Sequence, residues 1–323
     1  MVDIAQFKDR AKWPKARKAI EESVRSLLAL DKTPREAIDL QVKVADETDY
    51  PGFTRRRIEY FVDEWIRVGA WLFVPDGNDE RPAIVCCHSA VPQGKDEPAG
   101  IKGSKHTAFA KHYAERGYVT IAPDCVTAGE RVLPGQAPLD CRQFYKDYPR
   151  SSLAGKMHSD YRRCIDVLQE FREVDPERIG VIGHDLGAMN ALLLTALDGR
   201  ASVCVASCGF TMLGETAEPG RWGRDPGLLL IPKLKPSGEP GGFPFDWDEV
   251  LALIAPSPTL LLTALNDDIL SNTASCETAA VRAKKIFKLT GAAQALENFT
   301  HEDGHQVTAQ ALEEADGWFE RWL

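Results

Sequence analysis

Residues 178–192, RIGVIGHDLGAMNAL, carry the pattern with the most chemistry in this chain. An apolar run enters Gly183-His184-Asp185-Leu186-Gly187, and a second apolar run leaves it. A strand that turns sharply into a helix presents the residue at the turn, and glycines flank it because side chains there would hold helix and strand apart. The presented residue is Asp185. The helix N-terminus behind it favours the ionised carboxylate by about 0.3–1 kcal/mol. A nucleophile at such a turn is followed along the chain by an acid and then a base. Asp267 and Asp268 stand just past the apolar run 259–262, where a carboxylate can orient an imidazole; Asp267 is the first choice and Asp268 the alternative. His305, after Gly304 and ahead of the closing helical stretch, is the expected base. Upstream, Cys87-His88-Ser89-Ala90 follows another apolar run. Backbone N–H groups of Ser89 and Leu186 are the expected pair of donors for an oxyanion.

Metal chemistry is not expected. His301 to His305 reads H-E-x-x-H, but that motif needs a helix to bring both imidazoles to one face. Here Gly304 interrupts it and a strand-like run precedes it. No cofactor motif is present either: Gly94-Lys95 lacks the first glycine and the Ser/Thr of a phosphate loop.

These groups need a scaffold, and the 323 residues are enough for one large α/β domain with its own core. A net charge of −9 argues against a nucleic-acid or anionic-membrane partner and leaves a small-molecule substrate. The longest apolar runs are too short to span a bilayer. The N-terminal stretch shows no signal-peptide pattern, and the eight cysteines lie largely in apolar runs without a CxxC pair. Reduced, buried thiols in a cytoplasmic protein are the expectation.

The elements alternate. Strands are expected at 56–61, 66–73, 82–87, 118–122, 178–182, 201–206 and 259–262, with helices at 107–116, 157–173, 188–197, 273–289 and 307–322. Such alternation predicts parallel strands with helices on both faces. Residues 1–54 are assigned to an N-terminal helical extension, whose helix over 3–30 would cover a sheet edge or support a homodimer. Residues 55–323 form the main domain. Two long inserts, about 125–156 and 211–250, are rich in Pro, Gly and aromatics and are expected to cap the site. Their Tyr145, Tyr148, Trp222 and Trp247, with His88 and His184, are the candidate pocket residues. His106, His112 and His158 are read as surface or supporting residues, and Asp124, Lys95 and Asp96 as loop anchors.

The segments AIVCCHSAVPQGKDEPAG, AERGYVTIAPD, EVDPERIGVIGHDLGAMNALLL, ASCGFT and PFDWDEVLALIAPSPTLLLTALNDD, with the GH ahead of the final helix, resemble the α/β-hydrolase fold. Within it they are similar to the dienelactone-hydrolase and acetylxylan-esterase-like branch. The resemblance implies an eight-stranded, mostly parallel sheet and a Ser-His-Asp esterase site, with Asp267 as acid and His305 as base. It departs at the centre, where Asp185 replaces serine. The dehalogenase and epoxide-hydrolase branches use Asp there, although the dehalogenase branch follows it with Trp where this chain has Leu186.

Attack by a carboxylate on an acyl carbon would give a mixed anhydride, whereas attack on a saturated carbon gives an ordinary ester that water can cleave. Three readings follow. Asp185 is the nucleophile towards an epoxide, halide or activated ester; or His305 acts as general base on water or in a lyase or isomerase reaction; or the pocket binds a ligand without catalysis.

Overall fold

The apolar runs pair into one sheet whose order is dictated by where each strand can find a covered face. The protein is described from a computed structural model, covering residues 2–30, 38–77, 79–215, 228–234 and 243–323. Among these residues the strands are β1 (Lys43–Tyr50), β2 (Phe53–Phe61), β3 (Arg67–Pro75), β4 (Arg81–Cys87), β5 (Val119–Pro123), β6 (Val174–His184), β7 (Ala201–Ser207), β8 (Thr259–Ala264) and β9 (Leu296–His301). The helices are α1 (Trp13–Leu27), α2 (Phe109–Ala114), α3 (Arg142–Asp147), α4 (Leu153–Leu168), α5 (Leu186–Leu197), α6 (Trp247–Ile254), α7 (Ala274–Thr290) and α8 (Ala309–Trp322).

The sheet runs β1-β2-β3-β5-β4-β6-β7-β8-β9. Pairing is antiparallel from β1 through β5 and parallel from β5 through β9. One core, on the side of α1, α4, α5, α6 and α7, covers one face; a second, with α2 and α8, covers the other. The strands β4 to β8 read as continuous apolar runs for that reason.

Two expectations need correction. The sheet has nine strands among the described residues, not eight, and the N-terminal extension is not helical throughout, because β1 lies within it. β1 reads KVADETDY, with no apolar alternation, and most of it is exposed. It is held instead by backbone pairing to β2 and by charge: Glu47 lies opposite Arg56 and accepts from its Nε at 2.7 Å. An edge strand of this kind has no hydrophobic signature, and its acidic side chains discourage further pairing. The helix α1 packs on α6. It buries Ile20, Val24 and Leu27, while Arg25 donates to the Leu197 carbonyl at the end of α5 and Arg17 to the Leu253 carbonyl of α6.

The chain leaves β4 for β5 on one side and returns to β6 on the other. The crevice between the carboxyl ends of β4 and β6 is therefore a topological switch point, where open α/β sheets bind ligands. The loop 88–91 and the turn at Asp185 meet there.

Helix α5, LGAMNALLLTAL, is buried along its whole length against the sheet and beneath α4 and α6. Its close approach depends on two glycines. A Cβ on Gly183 would lie 2.2 Å from the Gly187 carbonyl carbon, and one on Gly187 would lie 2.2 Å from the Cys87 oxygen. Both obstacles are backbone atoms, which cannot swing away. Gly187→Ala is therefore expected to lower the unfolding free energy by about 3 kcal/mol, measured as a shift in the denaturant midpoint at constant slope. A loss under about 0.5 kcal/mol would show that helix and strand separate cheaply.

All eight cysteines are buried, and no two of them are joined in a disulfide. Among the described residues no helix is long and apolar enough to cross a membrane. His158, read from sequence as peripheral, is instead buried in α4, and neither ring nitrogen has a hydrogen-bond partner. Burial pulls its pKa down to about 3, so it sits neutral in the core.

Candidate active site

Asp185 terminates β6 with φ 54° and ψ −120°, a backbone conformation that costs a non-glycine residue about 1–3 kcal/mol. Surrounding bonds hold it there. Its N–H donates to the Ser207 carbonyl of β7 at 2.9 Å, and its carbonyl accepts from Ala188 and Met189 in the first turn of α5. The strain turns the side chain into the crevice, where about a fifth of it remains accessible.

His305 reaches this carboxylate from the loop between β9 and α8. Its Nε2 lies 3.6 Å from Asp185 Oδ1, and its Nδ1 lies 2.7 Å from Asp267 Oδ2. Asp267 sits just past β8 with its side chain fully shielded from solvent. Its other oxygen accepts from the N–H groups of Ile269 at 2.8 Å and Leu270 at 2.7 Å, which fixes the carboxylate in the turn. The neighbouring Asp268 is exposed. The structure thus brings Asp185, His305 and Asp267 together, and the choice between Asp267 and Asp268 falls to the residue whose carboxylate the turn directs inward.

Charges follow from this geometry. Burial disfavours the imidazolium of His305, but the nearby carboxylates of Asp185 and Asp267 outweigh it and raise its pKa to about 9. Burial alone would raise the pKa of Asp185; the His305 contact and the Ala90 N–H reverse this and hold it below the ordinary carboxylate value. Asp267 is likewise lowered, against burial, by His305 and by the backbone donors of its turn. The resting site is an imidazolium between two carboxylates.

The expected oxyanion donor Ser89 is corrected. Its N–H points away from the crevice and donates to the buried carboxylate of Glu97 at 2.8 Å. The tight turn closed by Val91 N–H on the Ser89 carbonyl exposes the next N–H instead, and Ala90 donates to Asp185 Oδ2 at 3.0 Å. Nothing in the sequence marks Glu97 as the group that claims the Ser89 N–H, so the N–H that faces Asp185 is one residue further on than the sequence suggests. Leu186 opens α5, and the first N–H groups of a helix have no partner within it.

The remaining predicted pocket residues are placed as follows. His88 donates from Nδ1 to the Ser89 carbonyl at 2.6 Å and accepts at Nε2 from Cys125 N–H at 2.9 Å, so both ring nitrogens tie the β4 loop to the end of β5. His184 lies beside His305: its ring centre is 4.8 Å from that of His305, and its Nδ1 lies 3.0 Å from Ser207 Oγ. Burial, then the adjacent His305, lowers its pKa to about 4, and it is neutral.

Tyr145 is not a free acid, because its hydroxyl donates to the Leu229 carbonyl at 2.7 Å and accepts from Leu153 N–H at 3.0 Å. Tyr148 is half-exposed and packs on Phe144. Trp247 is no pocket wall: it is buried at the start of α6, stacked on Phe210 at 5.2 Å. Trp222 lies outside the described residues. Lys95 and Asp124 form a buried ion pair at 2.8 Å that anchors the loop after β4 to the end of β5.

A sharp turn presenting Asp185 after a central parallel strand, a carboxylate after a later strand and a histidine before the last helix lie on an α/β-hydrolase fold, and the match to a hydrolase family supports a hydrolase of that superfamily. More particularly, the dienelactone hydrolase family profile matches residues 68–218, the stretch that carries the loop 88–91 and the turn at Asp185; Asp267 and His305 lie beyond it. The chain is similar to YtaP of Bacillus subtilis (strain 168), named as a hydrolase, with 27% identity over 251 residues, covering 75% of this chain and 79% of that protein. A glucuronoyl esterase from Solibacter usitatus superposes with a TM-score of 0.69 at 16% identity, covering 97% of this chain and 93% of the other. An acetyl xylan esterase from Paenibacillus sp. R4 superposes with a TM-score of 0.63 at 18% identity, over 95% of this chain and 94% of the other. At such identities the two structures share the fold.

Proposed function

We propose that the protein hydrolyses small electrophiles at a saturated carbon, with Asp185 as the covalent nucleophile, His305 as the base that activates water and Asp267 as the group that orients His305. The observation that carries this reading is the position of the Asp185 carboxylate. Its Oδ2 accepts from Ala90 N–H at 3.0 Å, so the carboxylate itself fills the place where an acyl substrate's oxyanion would be held. Its Oδ1, at 3.6 Å, is beyond hydrogen-bond range of His305. A serine must be deprotonated by such a histidine, but an ionised carboxylate needs no proton removed and does not require that contact.

The two steps balance. Asp185 Oδ1 attacks the carbon, the carbon–halogen bond breaks, and the halide departs with its electron pair. With the Asp185 charge neutralised in the ester, His305 gives its extra proton to solvent. Water then attacks Asp185 Cγ while the neutral His305 takes its proton, and the negative charge that develops on Oδ2 already faces the Ala90 N–H, with Leu186 N–H as the second donor. Collapse breaks the bond between Cγ and the alkyl oxygen, releases the alcohol and restores the carboxylate. The proton held by His305 passes to the alcohol.

Leaving-group chemistry narrows the substrate. An epoxide needs a proton on its oxygen; of the two tyrosines read as pocket residues, Tyr145 is committed to the backbone and Tyr148 packs half-exposed on Phe144. A bromide or iodide leaves as a stable anion without one. The preferred substrate class is therefore a short uncharged bromo- or iodoalkane, ahead of an epoxide, with activated esters such as p-nitrophenyl acetate slower still. The relatives named as esterases cleave acyl bonds by name; here the carboxylate at the turn favours alkyl transfer on the same frame.

Heavy-oxygen water tests the reading. In a single turnover with enzyme in excess, one solvent oxygen is expected to appear in the peptide that contains Asp185, and the first alcohol formed is expected to carry the enzyme's light oxygen. Label in the alcohol and none in the peptide would mean that water attacks the substrate directly.

A further inference from the structure

Behind the triad lies a second set of donors. Cys208 follows β7 with a positive φ of 52°, which turns it towards the end of β8. Its Sγ, an Asp267 carboxylate oxygen and an imidazole nitrogen of His305 all lie within 4.8 Å of one another. Thiolate, carboxylate and imidazole together are a zinc-type donor set, in which donors around one ion stand about 3–4 Å apart. A shift of less than about 1 Å per donor would close the present spacing. A small cavity bordered by Cys208, Asp267, Leu270, Thr273 and Cys276 adjoins two of the three donors and offers a place for a fourth ligand, a water molecule. This is a different set from the H-E-x-x-H sequence match: the loop holds His301 away, and its Nδ1 accepts from Asp303 N–H at 3.3 Å.

We propose that Cys208, Asp267 and His305 bind a thiophilic divalent cation, zinc or cobalt, and that binding reversibly switches the hydrolase off. Either imidazole nitrogen gives the same outcome. Metal on Nδ1 displaces the hydrogen bond that Asp267 makes to His305, and metal on Nε2 removes the lone pair that accepts a proton from water. Binding releases the thiol proton of Cys208 and the extra imidazole proton to solvent, with no change in oxidation state. The bound form is therefore favoured as pH rises. The inference needs only the three donors and stands whether or not Asp185 is a covalent nucleophile.

The test uses the full chain freed of metal with a chelator and titrated with Co2+. A sulfur-to-cobalt charge-transfer absorption is expected to saturate at one equivalent and to be displaced by Zn2+. Cys208→Ser is expected to lose the band, and Cys208→Ala serves if the serine variant does not fold. Zinc is expected to suppress turnover of whichever of a bromoalkane, an epoxide or p-nitrophenyl acetate is hydrolysed, with recovery on chelation. The zinc concentration for half-inhibition should rise about ten-fold or more in the variant, relative to its own zinc-free rate. Absence of the band in the wild type, or a band that persists in both variants, overturns the site. A bound ion that leaves turnover unchanged overturns the switch. The spectral readout is independent of activity, so its failure is distinguishable from failure of the alkyl-enzyme mechanism.

Discussion

Asp185→Asn is expected to lower turnover of a short bromoalkane by about ten-thousand-fold or more while leaving the fold intact, because it replaces the nucleophile with a neutral amide of the same shape. The amide oxygen can still accept from Ala90 N–H, as Asp185 Oδ2 does at 3.0 Å, so the loop should stay in place. The expected loss is therefore chemical, and it should appear in kcat and in kcat/KM alike. Asp185→Ser completes the comparison. It is expected to lose the bromoalkane reaction and to gain hydrolysis of p-nitrophenyl acetate. The shorter side chain vacates the position beside Ala90 N–H, and a hydroxyl can attack an acyl carbon to give a cleavable ester. An Asn variant that retained activity within about ten-fold of the wild type would remove Asp185 from the covalent role and return the chemistry to His305 acting on water.

The second large effect concerns pH. His305 titrates at about 9 in the resting enzyme because Asp185 and Asp267 both favour its charged form. A histidine protonated at neutral pH cannot take a proton from water, which weighs against direct general-base hydrolysis at pH 7. Alkylation changes that balance. The ester on Asp185 is neutral, so one of the two partners that raised the imidazole pKa is gone, and His305 becomes available as a base at the step that requires it.

Two limbs follow. In metal-free enzyme, kcat/KM for a haloalkane should depend on ionised Asp185, whose pKa is lowered, and should remain level through neutral pH into the alkaline range. When ester hydrolysis limits turnover, kcat should rise with pH through a midpoint below about 9. NMR titration of the His305 ring in free enzyme, set against the kcat profile, checks this. Coincident midpoints would mean that no charge is lost from Asp185 during turnover. In Asp185→Asn the ring should titrate lower than in the wild type.

The same groups give stability an opposite slope at each end of the scale. The raised His305 contributes stability that is complete below its ordinary value of 6.5 and is lost as pH rises through about 9. The lowered Asp185 and Asp267 contribute stability that is present above their ordinary value of 3.8 and is lost as acid protonates them.

Much of this site could be read from the chain. The α/β class, the turn at residues 183–187 and the meeting of Asp185, Asp267 and His305 were legible because each is written locally. Continuous apolar runs mark covered strands, and paired glycines mark a backbone approach. The residue types at 185, 267 and 305 state which charges are available. β1 was not legible, because an edge strand held by backbone pairing and by a contact such as Arg56 to Glu47 carries no apolar period. Tyr145 and Trp247 read as pocket aromatics, since composition cannot distinguish a wall from a brace; one is tied by its hydroxyl to Leu229 and Leu153, and the other is stacked in the core on Phe210.

What the sequence by itself determined is the chemistry on offer: a carboxylate at a strained turn, a histidine and a carboxylate to orient it, and no serine at the centre. Only the tertiary structure decided how these groups are used. It turned Asp267 rather than Asp268 inward through two backbone N–H donors, directed the Ser89 N–H to the buried Glu97 and the Ala90 N–H to Asp185, and placed Cys208 beside Asp267 and His305. Each of these outcomes depends on which way one N–H or one side chain points, and direction is set by contacts between residues far apart in the chain, where neither periodicity nor composition carries a signal.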